Sequence, residues 1–198
     1  MQLNVAYRVA NTQAEGPGHR YALWVQGCPL RCPGCCNQEM LPFVEAEQIS
    51  ANAILAEVAE VADQIEGVTF LGGEPFAQAE GLAVLAKGVQ QLELSVMVFS
   101  GFTLEQIHRG NPHWKDLLNQ IDLLVDGPYL QDLATLDRRW IGSTNQRIHF
   151  LTDRYRHLQE SETGWDTGKN TIELRWENGE LRVNGFPHED IRLGDSKT

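Results

Sequence analysis

The chain has 198 residues, of which 42% are hydrophobic and 22% charged, which suits one soluble domain with its own core. Its formal charge of −11 argues against nucleic acid as a partner, because phosphate binding needs a basic face. No run approaches the roughly 18 apolar residues of a membrane helix, and no basic-then-apolar N-terminus indicates export. We therefore expect a cytoplasmic protein that has no membrane partner.

Strands and helices alternate along most of the chain. The apolar stretch 21–27 predicts a strand that runs directly into a cysteine-rich loop. A helix is predicted over 50–66, with Ser50 as its N-cap and apolar residues spaced four, three and four apart. Further strands are predicted in 67–73, 95–99, 121–128 and 145–151, and further helices along 82–92 and over 103–119, the last broken near Pro112. This alternation is typical of parallel strands with helices packed outside them, whose strand-end loops meet at one edge and form the site.

The C-terminal part of the chain has a different pattern. Residues 160–170 are polar and loop-like, and the stretch from 171 to 186 alternates apolar and polar residues around Asn178-Gly179. Such a pair between two alternating runs predicts a β-hairpin. We therefore divide the chain into a core domain, 1–158, and a linker with an appended hairpin, 159–198.

All four cysteines lie in the segment "GCPLRCPGCCN", residues 27–37, and none remains to connect distant parts of the chain. That distribution indicates a metal or redox site in a reducing compartment, not a disulfide framework. Structural zinc needs four ligands in a closed tetrahedron, and neither a second C-x2-C nor a well-spaced histidine pair is present. Thiolates favour an iron–sulfur cluster. Three ligands at C-x3-C-x2-C spacing would leave one of four irons open for chemistry.

Two motifs together resemble the radical S-adenosylmethionine (SAM) superfamily. They are the C-x3-C-x2-C after the first strand and Gly72-Gly73-Glu74-Pro75 after the next. Within that superfamily, the chain from about residue 15 to 150 resembles the activating enzymes of anaerobic, class III ribonucleotide reductase. The likeness is carried by "EGPGHRYALWVQGCPLRCPGCCN", "FLGGEPF", "SGF", "LLVDGPYLQD" and "RRWIGSTNQRI". Two features depart from the family: Cys36 stands where an aromatic residue is common, and the C-terminal hairpin extends beyond the compact core.

The resemblance implies a fold, two cofactors and partners. The fold would be α/β, a partial (βα) barrel of about five to six parallel strands, open on one side. Cys28, Cys32 and Cys35 would ligate three irons of a 4Fe–4S cluster, and SAM would chelate the fourth. A flavodoxin-like donor would supply the electron that cleaves SAM. The resulting 5′-deoxyadenosyl radical would abstract a hydrogen atom from a glycine of a large partner protein.

The resemblance also suggests which residues bind SAM, and no side chain is predicted to be a catalytic group itself. The backbone of Gly34, Cys35 and Cys36 would contact adenine, and Gly72, Gly73 and Glu74 would receive the methionyl ammonium. Ser100 and Asp126 end later strands on the same edge and are predicted to line the pocket. For Glu74, Ser100 and Asp126 the alternative is an ordinary role in a turn. Cys36 is a small semi-buried residue in the first interpretation, a substitute ligand in the second and a reactive thiol in the third.

Three hypotheses for function follow. The first is a glycyl-radical activase of anaerobic ribonucleotide reductase. The second keeps the cluster chemistry and changes the target to a peptide or a small metabolite. The third is a non-catalytic electron carrier, in which Cys36 closes the cluster as its fourth ligand.

Overall fold

A mixed seven-stranded sheet forms the centre of the protein in a computed structural model, which describes residues 1–160, 170–177 and 179–185. The strands of this sheet are β1 (Gln2–Thr12), β2 (Arg20–Val25), β3 (Glu47–Ser50), β4 (Gly67–Gly72), β5 (Ser95–Phe99), β6 (Leu123–Asp126) and β7 (Arg147–Phe150). The helices are α1 (Ala51–Glu60), α2 (Ala79–Gln91), α3 (Leu104–Arg109), α4 (Pro112–Leu118) and α5 (Arg156–Gln159). Within the part of the chain that the structure describes, none of these helices combines the length and apolar character that a membrane span requires.

The strand order is β3-β1-β2-β4-β5-β6-β7. Only β2, β4, β5 and β6 pair in parallel, so the sheet has four parallel strands where five to six were predicted. The outer pairings are antiparallel because the connections that precede them are not helical crossovers. β1 reaches β2 through residues 13–19 alone, which is too short for a crossover. The α/β class and the largely parallel centre of the sheet are confirmed.

The two faces of the sheet are covered differently. On one face, alternate strand residues such as Leu23 and Phe70 pack against α1, α2 and the helices after β5 in the main core. On the other face, Trp24, Leu71 and Phe99 belong to two smaller apolar clusters. Successive side chains of a strand point to opposite faces, so each parallel strand contributes to both layers. Among the described α-helices only the short α5 packs on this second face, through Leu158, so the rest of the face is available for a site.

Two local predictions are confirmed, Ser50 as an N-cap and the helix break near Pro112, whereas the bounds of several elements differ from the prediction. α1 begins after Ser50, whose Oγ accepts a hydrogen bond from Ala53 N at 3.1 Å, and it ends at Glu60 before a short 3-10 turn. The helical stretch over 103–119 is two helices, because Pro112 is the first residue of α4 and Asn111 caps it. β1 and β3 were not predicted.

The C-terminal hairpin is confirmed. β8 (Ile172–Glu177) and β9 (Glu180–Gly185) form a separate antiparallel pair with Gly179 in the turn at a φ of 85°. Asn178 and most of the polar stretch 160–170 lie outside the described residues, so the division at 159 stays a prediction.

Arg20 lies at the start of β2 and is completely buried. Its guanidinium donates to Thr69 Oγ1 at 2.6 Å, to Val68 O at 2.8 Å, and to Ser95 Oγ and Tyr155 OH at 3.1 Å each. The side chain thus joins β2, β4 and β5 to the segment after β7. A buried guanidinium is tolerated only when its donors find acceptors, as they do here.

We expect Arg20→Leu to lower the free energy of unfolding by about 3 kcal/mol or more, because several buried polar groups lose their partner at once. Urea unfolding of the metal-free protein followed by circular dichroism measures the loss. The control is Arg109→Leu on the exposed face of α3, which should change the stability by less than about 0.5 kcal/mol. Equal stability of the Arg20 variant and the wild type would contradict the stabilising role of Arg20 between these strands.

Candidate active site

A cavity of about 390 Å³ lies on the face of the sheet opposite α1 and α2. Trp24, Leu71 and Phe99 contribute side chains to its lining from β2, β4 and β5. The loops after these strands complete it, because parallel strands end at the same edge. The cavity is therefore apolar along the sheet and polar at the strand ends.

The cysteine loop forms one wall of the cavity, and all four cysteines are free and line it. The loop is held at its first residues, where Gly27 N donates to Met40 O at 2.8 Å and Cys28 N to Leu41 O at 3.0 Å. Within the loop, Cys35 N donates to Cys32 O at 3.2 Å. Cys28 is buried, whereas Cys36 is exposed. The spacing of the motif thus places the three predicted ligands around one space.

The thiols suit a cluster better than a single ion. Among the described residues, no three His, Cys, Asp or Glu side chains are arranged to hold one metal ion. A 4Fe–4S cluster makes no such demand, because each thiolate binds a different iron. Burial raises the pKa of the Cys28 and Cys32 thiols, while backbone hydrogen bonds at both sulfurs lower it. Those backbone N–H groups would stabilise the thiolate form that iron binds.

Cys36 interacts directly with the neighbouring cysteine. A hydrogen bond between the two thiols lowers the pKa of Cys35 to about 6, because the Cys36 thiol stabilises the Cys35 thiolate. Cys36 lines the cavity beside Gly34, as the predicted adenine contact requires. It is more exposed than the semi-buried residue that the sequence suggested.

The Gly72-Gly73 turn packs against β2 and the cysteine loop. Gly72 has a φ of 102°, and a Cβ there would lie 2.7 Å from Val25 N. A Cβ on Gly73 would lie 2.4 Å from the carbonyl oxygen of Gly27, so close packing requires both glycines. Gly73 N donates to Val25 O at 2.8 Å, which joins the turn to the end of β2. The carbonyl of Gly72, in the turn predicted to receive the methionyl ammonium, accepts a hydrogen bond from Asn37 Nδ2 at 3.3 Å.

Glu74 is a buried carboxyl group, neither an open ligand nor a solvated turn acid. It accepts hydrogen bonds at 2.9 Å from Phe76 N, Ser100 Oγ and Gly101 N, and so joins the loops after β4 and β5. Burial raises its pKa to about 7. Glu74 and Ser100 both line the cavity, but their polar atoms are already used in holding its rim.

Asp126 does not line the cavity, contrary to the sequence prediction. Its carboxylate is completely buried and accepts hydrogen bonds from Leu104 N and from the Arg147 guanidinium, the latter at 2.7 and 3.1 Å. It therefore joins β6 to α3 and β7. The next residue, Gly127, is the one that reaches the cavity.

A further part of the cavity wall contains residues that the sequence analysis did not identify. Glu15, in the loop between β1 and β2, lines the cavity together with Val183, Asn184 and Gly185 of β9. Gly185 N donates to Glu15 Oε1 at 2.7 Å, and burial raises the pKa of Glu15 to about 7. The C-terminal hairpin is thus part of the cavity wall. No local sequence signal links Glu15 to β9, because the contact spans most of the chain.

Comparison with known proteins agrees with this geometry. Residues 14–149 match the family model of the 4Fe-4S single cluster domain. The anaerobic ribonucleoside-triphosphate reductase-activating protein of Escherichia coli (strain K12) is 30% identical over 148 residues, which covers 69% of this chain and 92% of that protein. The chain belongs to the family of anaerobic ribonucleoside-triphosphate reductase-activating proteins. The reductase-activating protein of Vibrio cholerae serotype O1 is 32% identical over 146 residues, which covers 70% of this chain and 92% of that protein. The solved structure of QueE from Escherichia coli is similar over 52% of this chain and 54% of that one, with 20% identity and a TM-score of 0.44.

The resemblance to the activating enzymes of anaerobic ribonucleotide reductase is therefore confirmed. The match to the 4Fe-4S single cluster domain likewise supports the predicted 4Fe–4S cluster. The family match ends at residue 149, before the hairpin that completes the cavity wall.

The two buried carboxyl groups, Glu15 and Glu74, make the stability of the metal-free protein depend on pH. In the folded protein the pKa of each group is about 7, which lies above the pKa of a glutamate in the unfolded chain. Between these two pKa values the folded state therefore binds more protons than the unfolded state. Stability should therefore fall as pH rises from about 4.5 to 7, by at most about 1.4 kcal/mol per pH unit for each group. Glu15→Gln and Glu74→Gln should each make that slope less steep in urea unfolding between pH 5 and 8. Glu60→Gln, at an exposed carboxyl on α1, is the control, and an unchanged slope in both buried variants would contradict the assignment.

Proposed function

We propose that this activating protein uses a 4Fe–4S cluster and SAM to generate a glycyl radical on an anaerobic ribonucleoside-triphosphate reductase. One observation carries the proposal: the cysteine loop and the Gly72–Glu74 turn line the same cavity, at the ends of adjacent parallel strands. A site that joins a cluster to a co-substrate needs these two elements in contact. The names of the family relatives support the choice of reductase as the partner.

Cys28, Cys32 and Cys35 are the proposed ligands of three irons, and the fourth iron is left to SAM. Cys36 is left out of the ligand set in this proposal, because it lies outside the C-x3-C-x2-C spacing and its thiol hydrogen-bonds to Cys35. Backbone around Gly34 and Cys36 would contact adenine, and the Gly72-Gly73 turn would receive the methionyl ammonium. Glu74 and Ser100 would act by holding the rim in place.

When bound, the cluster would pass one electron to the sulfonium of SAM, giving methionine and a 5′-deoxyadenosyl radical that takes the α-hydrogen of the target glycine. The chain's own contribution is the shape and polarity of the cavity. Trp24, Leu71 and Phe99 give the cavity an apolar wall along the sheet and exclude water from that wall. The open side leaves room for a segment of a second protein.

Several finer features belong to the same proposal. The four parallel strands with helices on one face would be the wall of a partial (βα) barrel whose open side admits the partner. The electron donor would be flavodoxin-like and the setting a reducing cytoplasm. The chain would divide into the SAM-binding core, 1–158, and the C-terminal segment, 159–198.

Serine substitutions test the ligand set. After anaerobic reconstitution with iron and sulfide, Cys28→Ser, Cys32→Ser and Cys35→Ser should each lose most of the cluster, because one iron lacks its thiolate. Cys36→Ser is the matched control and should keep its iron and sulfide content. Loss of the cluster in the Cys36 variant would favour the electron-carrier hypothesis, in which Cys36 is the fourth ligand.

The function itself is tested on the wild-type protein with the reductase encoded in the same genome. The EPR spectrum of the reduced cluster should change when SAM is added, and 5′-deoxyadenosine should be released. A doublet typical of a carbon-centred radical should then appear on the reductase. An unchanged spectrum without cleavage would exclude SAM chemistry. Cleavage without a radical on the reductase would instead favour a peptide or a small metabolite as the target.

A further inference from the structure

The polar face of the hairpin β8–β9 points toward the rest of the protein. Glu173 Oε1 accepts a hydrogen bond from Gln13 N at 2.8 Å, and Asn184 Nδ2 donates to Thr12 Oγ1 at 2.9 Å. Arg175, on the same face, donates to Asn11 O. Because alternate residues of a strand share a face, these polar contacts fix which way the other face points.

The opposite face carries four large apolar side chains that are directed away from the core. Leu174 pairs across the strands with Val183, and Trp176 pairs with Leu181. Their exposed fractions are 59% for Leu174, 73% for Trp176, 47% for Leu181 and 39% for Val183. We call these four residues the hairpin face. Four large apolar side chains side by side differ from the singly scattered exposed apolar residues that are common on protein surfaces.

The hairpin face is continuous with the active-site cavity. Val183 belongs to both, since it is exposed on the hairpin and lines the cavity with Asn184 and Gly185. A protein that enters the cavity on the side of Val183 therefore lies beside this face. On the proposed function, that protein is the reductase.

The hairpin face is too small to hold a second copy of this chain by itself. Strands of six residues are about 20 Å long and two of them about 10 Å wide, which gives on the order of 200 Å². A stable protein interface needs about 800 Å² from each partner. The face is large enough only as one part of a wider contact that includes the cavity mouth.

The chain's own C-terminus is also a poor match for this face. Residues 186–198 contain five charged side chains among thirteen residues, and only Phe186, Pro187, Ile191 and Leu193 are apolar. An apolar surface favours an apolar occupant.

We propose that the hairpin face is the docking surface for the reductase, with an apolar patch of the reductase packed on Trp176 and Leu181 beside the cavity mouth. This inference rests on the proposed function and assigns its partner a specific contact. It concerns a segment outside residues 14–149, which match the family model.

The test compares the double variant Trp176→Ser/Leu181→Ser with the wild type, both as full chains reconstituted with iron and sulfide. Neither residue lines the cavity, so release of 5′-deoxyadenosine without reductase should be unchanged. The reductase concentration that gives half of the maximal glycyl radical should rise at least tenfold, because interfaces depend on a few buried aromatic and aliphatic anchors. The control is Val84→Ser, which removes a 45% exposed side chain from α2 and should leave this concentration unchanged.

Two results would overturn the inference. One is an equal half-saturating reductase concentration in the double variant and the wild type. The other is a wild-type dimer that the double variant loses in sedimentation, which would assign the hairpin face to a second copy. If the double variant does not fold, the single variants Leu174→Ser and Trp176→Ser are measured in the same way. Failure of the proposed function is distinguishable, because the wild type would then cleave SAM and form no glycyl radical at any reductase concentration.

Discussion

The parallel pairing of β2 with β4 is the constraint on which the site depends. Its register places Val25 opposite Gly72, so both strands end at the same level. The two following loops are then joined by backbone hydrogen bonds, Gly73 N to Val25 O and Glu74 N to Gly27 O. The absence of side chains at Gly72 and Gly73 permits this contact, since a Cβ on either would meet backbone atoms. The cysteine loop and the glycine turn are consequently joined as one unit.

Buried polar side chains extend this unit across the sheet. Glu74 joins the loop after β4 to the loop after β5, and Asp126 joins β6 to β7 through Arg147. At the opposite end of β2, Arg20 connects three strands through neutral acceptors. Each of these groups costs desolvation and is tolerated because its hydrogen bonds are made. A site that controls a reactive radical benefits from such rigidity, because a small displacement of the reacting atoms lowers the rate steeply.

The C-terminal hairpin closes part of the cavity wall. A compact core alone would leave the side near Glu15 open, whereas β9 supplies Val183, Asn184 and Gly185 there. The hairpin is attached by hydrogen bonds to residues 11–15 and presents its apolar side outward. Its position connects the interior of the cavity with the surface that a large partner would meet first.

The sequence by itself determined the chemistry and most of the elements. Cysteine spacing, the Gly-Gly turn and apolar periodicity are local patterns. The hairpin was predicted from apolar and polar residues that alternate on both sides of Asn178-Gly179. It did not determine where side chains at the strand ends point. Asp126 turns from the cavity because Arg147, on the next strand of the sheet, draws its carboxylate. Glu74 is buried because the loop after β5 donates to it, and Glu15 reaches the cavity because it meets Gly185 at the other end of the chain. These are contacts between residues distant in sequence, which only the tertiary structure brings together.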